Sequence, residues 1–155
     1  MNGIHHAHEQ HPFFVQAMHD HEKLHHEVEA IHQLLEHKVA GEINCEAVTT
    51  VTQLIDTLRE ELRLHFEREE LGGYLEEALT RVPALAPQAA QLQKQHAEFL
   101  RLAEQMTADV NCGDQPAGIW TRLKGDYARF AKKLLAHEAA ENQLLERAFN
   151  EDLGL

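Results

Sequence analysis

Four stretches of the chain, about residues 12–39, 45–80, 87–110 and 115–149, repeat an apolar residue at every third or fourth position. That period matches the 3.6-residue turn of an α-helix rather than the two-residue alternation of a strand, so each stretch can bury one face only by packing as a helix. Four long helices with short connections predict an all-α protein, an antiparallel up-down four-helix bundle. Alanine, leucine, glutamate, glutamine and histidine dominate while β-branched and aromatic residues are sparse, which points the same way. At 155 residues the chain suits a single domain.

The interruptions have physical causes. Pro12 can open the first helix, where its missing N–H is not needed. Gly41 and Asn44 break the pattern before the second helix, Pro83 and Pro87 separate the second from the third, and Asn111–Pro116 separates the third from the fourth, with Asp114 placed to cap it. Gly72-Gly73 falls inside the second stretch, where it can kink that helix or end it early. Residues 1–11, with His5, His6, His8 and His11, read as a histidine-rich mobile tail ahead of a bundle over 12–155.

A formal charge of -12 excludes a phosphate-binding face, which needs clustered Lys and Arg, so no nucleic-acid or anionic-membrane partner is expected. No apolar run is long enough to cross a bilayer, and the first residues lack the pattern of a signal peptide, so a cytoplasmic location is expected. Cys45 and Cys112 stand alone in the sequence; they read as small, semi-buried residues of a reducing compartment and give no sign of a thiolate metal site.

Polar residues on the apolar faces carry the functional information. Rotating each helix by about 100° per residue places Val51, Leu54, Leu58 and Leu62 on one stripe that continues into His65 and Glu69. The fourth helix places His137 and Glu141 after Leu123, Phe130 and Leu134 and before Leu144 and Ala148. His96 lies among Leu92, Leu100 and Ala103 on the third, and His21, His25 and His32 flank Leu24, Val28, Ile31 and Leu35 on the first. Two of the helices thus carry the spacing HxxxE, which lets a neutral imidazole nitrogen and a carboxylate oxygen meet at one point. A lone inward histidine is commonly a hydrogen-bonded core residue. Four imidazoles and two carboxylates buried together are costly without a cation, so the set reads as a metal site. Nitrogen and oxygen ligands favour iron, manganese or zinc, and six candidates exceed the four of a structural zinc site, so a dinuclear centre fits best.

The ordered motifs DHEKLH, HFEREE, QHAEFL and HEAAE, over residues 20–141, resemble those of the hemerythrin-like, or HHE cation-binding, proteins. The resemblance implies a four-helix bundle around two iron ions with an oxo, hydroxo or water bridge. It implies His65, His96 and His137 as terminal ligands, Glu69 and Glu141 as bridging carboxylates, and His21, within Asp20–Leu24, as the first-helix ligand. Two departures set this chain apart from the oxygen carriers of that family. Leu100 stands where they have a second histidine one turn after the third-helix ligand, and the last motif is HxxxE rather than HxxxxD. His25, one turn from His21, can supply the missing imidazole, or the position is left open or holds water.

Three functions follow as expectations. The first is a non-haem di-iron protein, a monomer or homodimer, that binds or senses oxygen, nitric oxide or peroxide, or that handles iron. The second is a di-iron oxidase, peroxidase or iron-centre repair enzyme, for which Tyr127 is a candidate channel tyrosine or else a boundary aromatic with its hydroxyl in water. The third is a bundle that holds structural zinc. His19 and His26 read as exposed, His32 as a core-edge residue too far along the axis to join His21, and His37 as a helix-end residue. Glu70 and Glu138, each next to a motif residue, read as solvated groups or as groups supporting a ligand.

Overall fold

The computed structural model describes residues 11–111, 113 and 115–150. Within them lie four long helices, α1 (Pro12–His37), α2 (Cys45–Glu70), α4 (Ala86–Ala108) and α5 (Pro116–Asn150), with a short α3 (Tyr74–Arg81) between the second and third. Single 3-10 turns, Ala40–Glu42 and Pro83–Leu85, sit in two of the connections. The long helices pack as a ring, α1 on α2, α2 on α4, α4 on α5 and α5 back on α1, each neighbour antiparallel to the next. This is the up-down bundle that the periodicity predicts, and no described helix is long and apolar enough to cross a membrane.

Local chemistry sets the helix ends. The ring of His11 accepts a hydrogen bond from the Phe13 N–H at 3.0 Å, and Pro12 occupies the first helical position of α1. The Asn44 side chain accepts from the Ala47 N–H at 2.9 Å and caps α2. At the far end of α1, one of the carbonyls that a helix terminus leaves unpaired, that of Leu35, accepts from the indole N–H of Trp120 at 3.1 Å.

Gly72-Gly73 ends α2 early, one of the two outcomes expected of the pair, and the stretch to residue 80 continues as a separate short helix. Gly72 takes φ +75°, and a Cβ on Gly73 would lie 1.9 Å from the Arg68 carbonyl oxygen. The first glycine supplies the left-handed backbone and the second the close approach, so the chain turns sharply. That turn lets α3 lie across α1, α4 and α5 at one end of the bundle.

The apolar core falls into two clusters. The larger, including Val28, Ile55, Leu62, Phe99, Leu123 and Leu134, fills the part of the bundle toward the α1–α2 and α4–α5 connections. The smaller, including Phe14, Leu75, Leu85, Leu92, Leu145 and Phe149, joins α3 to the ends of α1, α4 and α5. Between the two, in register on all four long helices, lies a layer of buried polar side chains.

Three expectations change. Leu54, placed on the α2 stripe, is 40 % exposed, and Ile55 takes the inward position, because the step from Val51 to the next buried turn is four residues rather than three. Cys45 is the exposed first residue of α2 and is disulfide-bonded, not a semi-buried thiol. Sequence spacing carries no sign of this, and the inference of a reducing compartment from cysteine usage loses its support; Cys112 lies outside the described residues, as do Asp114, His5, His6 and His8.

The two glycines should differ in their tolerance. Gly72→Ala is expected to lower stability by about 1 kcal/mol, the cost of a left-handed backbone for a residue with a Cβ. Gly73→Ala should cost more, because the backbone itself must move, and urea unfolding of the two variants reads the difference. An equal cost would show that the α2–α3 turn relaxes freely.

Candidate metal centre

Each long helix places its share of the polar layer where its stripe would otherwise continue with an apolar residue. On α1 His21 stands between Ala17 and Leu24; on α2 His65 and Glu69 follow Leu62; on α4 His96 stands between Leu92 and Phe99; on α5 His137 and Glu141 stand between Leu134 and Leu144. The four histidines are 3–5 % exposed and both glutamates 0 %. The i, i+4 spacing stacks each HxxxE pair on one helix face.

The six side chains form two adjacent groups. His21 and His65 meet Glu69 and Glu141 in one, and His96 and His137 meet Glu141 in the other, with ligand atoms of each group within 4.8 Å of one another. Glu141 directs Oε1 to His21 Nε2 at 2.7 Å and Oε2 to His137 Nε2 at 3.4 Å. Glu69 pairs Oε1 with His65 Nε2, lies 3.8 Å from His21 Nε2 through the same oxygen, and turns Oε2 to His96 Nε2 at 3.5 Å. Each carboxylate therefore gives one oxygen to one histidine pair and the other oxygen to the second.

The outer ring nitrogens are held from behind. His21 Nδ1 is 2.5 Å from Asn142 Oδ1, His96 Nδ1 is 2.6 Å from Glu70 Oε2, and His137 Nδ1 is 2.7 Å from Gln95 Oε1. A ring that donates from Nδ1 to such an oxygen carries, when neutral, its lone pair on Nε2. Those three Nε2 atoms point inward and have no hydrogen-bond partner among the described residues, and neither do Glu69 Oε2 or either oxygen of Glu141. Acceptors thus face acceptors in a place closed to water, an arrangement that only positive charge can satisfy. Phe66 fixes the plane of His96 by stacking on it at 3.9 Å between ring centres.

Without a cation the layer recruits protons. Burial acts to lower the His21 pKa, but the close carboxylates of Glu141 and Glu69 outweigh it and push the ring up to about 11. Burial acts to raise Glu141, yet His137 and His21 hold its carboxyl well below the usual carboxylate range. The cluster can hold a metal cation, and its nitrogen and oxygen donors, with no thiolate among the described residues, suit the hard to borderline class.

Not every expected residue reaches the centre. His25 is exposed on α1 and takes no part in either ligand group. One turn beyond His21 the helix has advanced by about 5.4 Å and rotated further toward solvent, while Leu24 and Val28 take the inward positions. No fifth imidazole stands beside His21, and Leu100 is half-buried against the larger core cluster. His19 and His26 are exposed, His32 is half-buried, and His37 is the exposed last residue of α1. Tyr127 is neither a channel residue nor a boundary one; it is fully buried in the larger core cluster and its hydroxyl donates to the Val28 carbonyl at 2.7 Å.

One group beside the centre escaped the sequence reading, and another lies deeper than expected. Tyr74, the first residue of α3, is buried, and its hydroxyl donates to Glu69 Oε1 at 3.2 Å, 3.5 Å from His65 Nε2. Burial and the charge of Glu69 push its phenol well above the ordinary tyrosine range, so it holds its proton. In a single helix running to residue 80 Tyr74 would have pointed past the centre, and only the turn at Gly72-Gly73 returns it. Glu138, expected on the outside, is 6 % exposed with Oε1 unpartnered, and burial raises its carboxyl to about 7. It lies one residue from His137, about 100° around the helix, on a flank that α1 covers.

The family model described as the hemerythrin HHE cation binding domain matches residues 14–149. No curated protein and no solved structure matches the chain at a significant level. The matched span covers α2 and α4 whole, all but the first two residues of α1 and the last of α5, and every residue of the two ligand groups. The chain belongs to the hemerythrin HHE cation-binding domain family.

Proposed function

We propose that this protein is a non-haem di-iron protein that binds or senses oxygen, nitric oxide or peroxide, or handles iron. The observation that carries the reading is the sharing of both carboxylates between two histidine pairs. A structural zinc site closes on four ligands around one ion, whereas here a group of four and a group of three share Glu141, which suits two adjacent ions, the second with a position left open. Iron bound there would supply one-electron chemistry and open coordination positions for a small ligand. The chain supplies the rest: Nε2 lone pairs fixed by outer hydrogen bonds, a water-excluding core on both sides, and a phenol proton beside Glu69. Reversible carriage in the manner of the oxygen carriers is disfavoured, since Leu100 offers no ligand.

Tyr74 favours a second reading, a di-iron oxidase or peroxidase. Reduction of oxygen or peroxide consumes protons, and the Tyr74 hydroxyl holds one against Glu69 Oε1, inside the water-excluded layer.

Metal analysis of protein loaded anaerobically with Fe2+ should find about two irons per chain, falling to about one with His96→Ala and further with Glu141→Ala, whose carboxylate serves both groups. One zinc per chain and no iron uptake would sink the di-iron reading.

Proton release gives an independent check. A group raised from 6.5 to about 11 contributes stability to the cation-free fold that is fully present below pH 6.5 and is lost as pH rises from there through about 11. At pH 8 the ring is still protonated, so a cation must displace its proton. Titration calorimetry in buffers of different ionisation enthalpy should show release of about one proton per chain on loading. Zero release would mean that His21 is not displaced by the ions.

For the enzymatic reading, Tyr74→Phe should leave iron content unchanged and slow peroxide consumption by about 10²-fold. Unchanged turnover removes the support for it.

A further inference from the structure

Three grooves in the surface end on histidines of the centre. The groove between α1 and α2 reaches His65, and Lys23 and Arg68 stand beside its three acids. The groove between α4 and α5 reaches His137 and carries Lys133 with Glu98. The groove between α1 and α5, about 390 Å³, reaches His21 and is lined by Glu22, His25, Glu138 and Asn142 with no Lys or Arg at all. Of the three, this last path has two carboxylates and two imidazoles along it and no Lys or Arg.

Depth along it is graded. His25 and Glu22 are exposed at its mouth. Glu138 is buried deeper and keeps Oε1 without a hydrogen-bond partner, a costly state for a carboxyl group unless it serves a ligand. Glu138 lies three residues before Glu141 on α5, so the two carboxyl groups are neighbours on the helix surface. His21, at the inner end, belongs to one ligand group and lies 2.7 Å from Glu141 Oε1.

Resting on the metal centre proposed above, we propose that the α1–α5 groove is the uptake route of that centre for divalent cations: His25 and Glu22 capture the ion, and Glu138 passes it to Glu141 and His21. The step is ligand exchange, in which the cation sheds waters for carboxylate and imidazole donors and changes no oxidation state. It gives His25 a role outside the centre, and it accounts for a buried carboxyl that belongs to neither ligand group. A buried carboxylate lining a groove with acidic side chains and no Lys or Arg raises the local concentration of cations and thus the rate of capture rather than the final affinity.

The test is the rate of Co2+ uptake by the metal-free full-length chain, followed in stopped flow by the visible absorption of the ligated ion. Glu138→Gln, which keeps the side-chain shape, should slow uptake by about tenfold at low ionic strength and leave the final Co2+ content unchanged. His25→Gln, an exposed change that leaves the core intact, should slow it by a smaller factor. Glu98→Gln in the α4–α5 groove, the control, should stay within about twofold of the unsubstituted rate. Unsubstituted rates for both Glu138→Gln and His25→Gln would overturn the route. So would a reduced Co2+ content for Glu138→Gln, which would make that residue a ligand of the centre. If the unsubstituted chain takes up no Co2+, the metal centre itself fails; if it loads fully and all variants match it, only the route does.

Discussion

Everything in this bundle is arranged around lone pairs that face one another. Three imidazole Nε2 atoms and three carboxylate oxygens are buried without a hydrogen-bond partner, in a layer shut off above and below by apolar clusters. Such a layer is electrostatically unfinished. A well-packed apolar layer in its place would be stabilising without any further partner, so these residues weaken the metal-free fold and place its stability under the control of whatever cation they hold. The raised His21 and lowered Glu141 are two signs of the same deficit, a proton standing in for a metal ion.

The surrounding structure holds that layer in shape. Hydrogen bonds donated by three histidine Nδ1 atoms to Asn142, Glu70 and Gln95 fix the orientation of those rings, so their inward nitrogens are already aimed at the centre. Trp120 and Tyr127 tie α5 to backbone carbonyls of α1 at two heights in the larger core, which fixes the axial register between the helices that carry His21 and Glu141. The short α3 closes the opposite side and brings the one phenol that touches a shared carboxylate. Binding residues, supports and closure thus come from different helices, and the antiparallel ring superposes them at one level.

Much of this was legible in the sequence because its code is local. Apolar spacing fixes which face of a helix turns inward, and HxxxE fixes that His65 with Glu69, and His137 with Glu141, share one face. The errors came where one position of rotation or one break in the chain decides the outcome. Leu54 and Ile55 are both apolar, and spacing alone does not choose between them. His25 looks like a neighbour of His21 at i+4, yet a bundle helix offers only a narrow strip to the interior, and Leu24 and Val28 fill it. Tyr74 was hidden because spacing shows that Gly72-Gly73 can end α2 but not which way the chain turns after it. Glu138 was hidden by its position beside a ligand, where the next residue usually turns outward, and α1 covers that flank.

The sequence by itself determined the helices, their inward faces and the identity of the six polar residues placed on them, because each of these depends on spacings of three and four residues within one helix. Tertiary structure decided which histidine faces which carboxylate, that each carboxylate divides its oxygens between two pairs, that Tyr74 reaches Glu69, and that Glu138 lines the groove leading to His21. Those relations depend on the relative height and rotation of helices distant in sequence. Packing of the two apolar clusters and the turn at Gly72-Gly73 set both, and no spacing along a single helix encodes them.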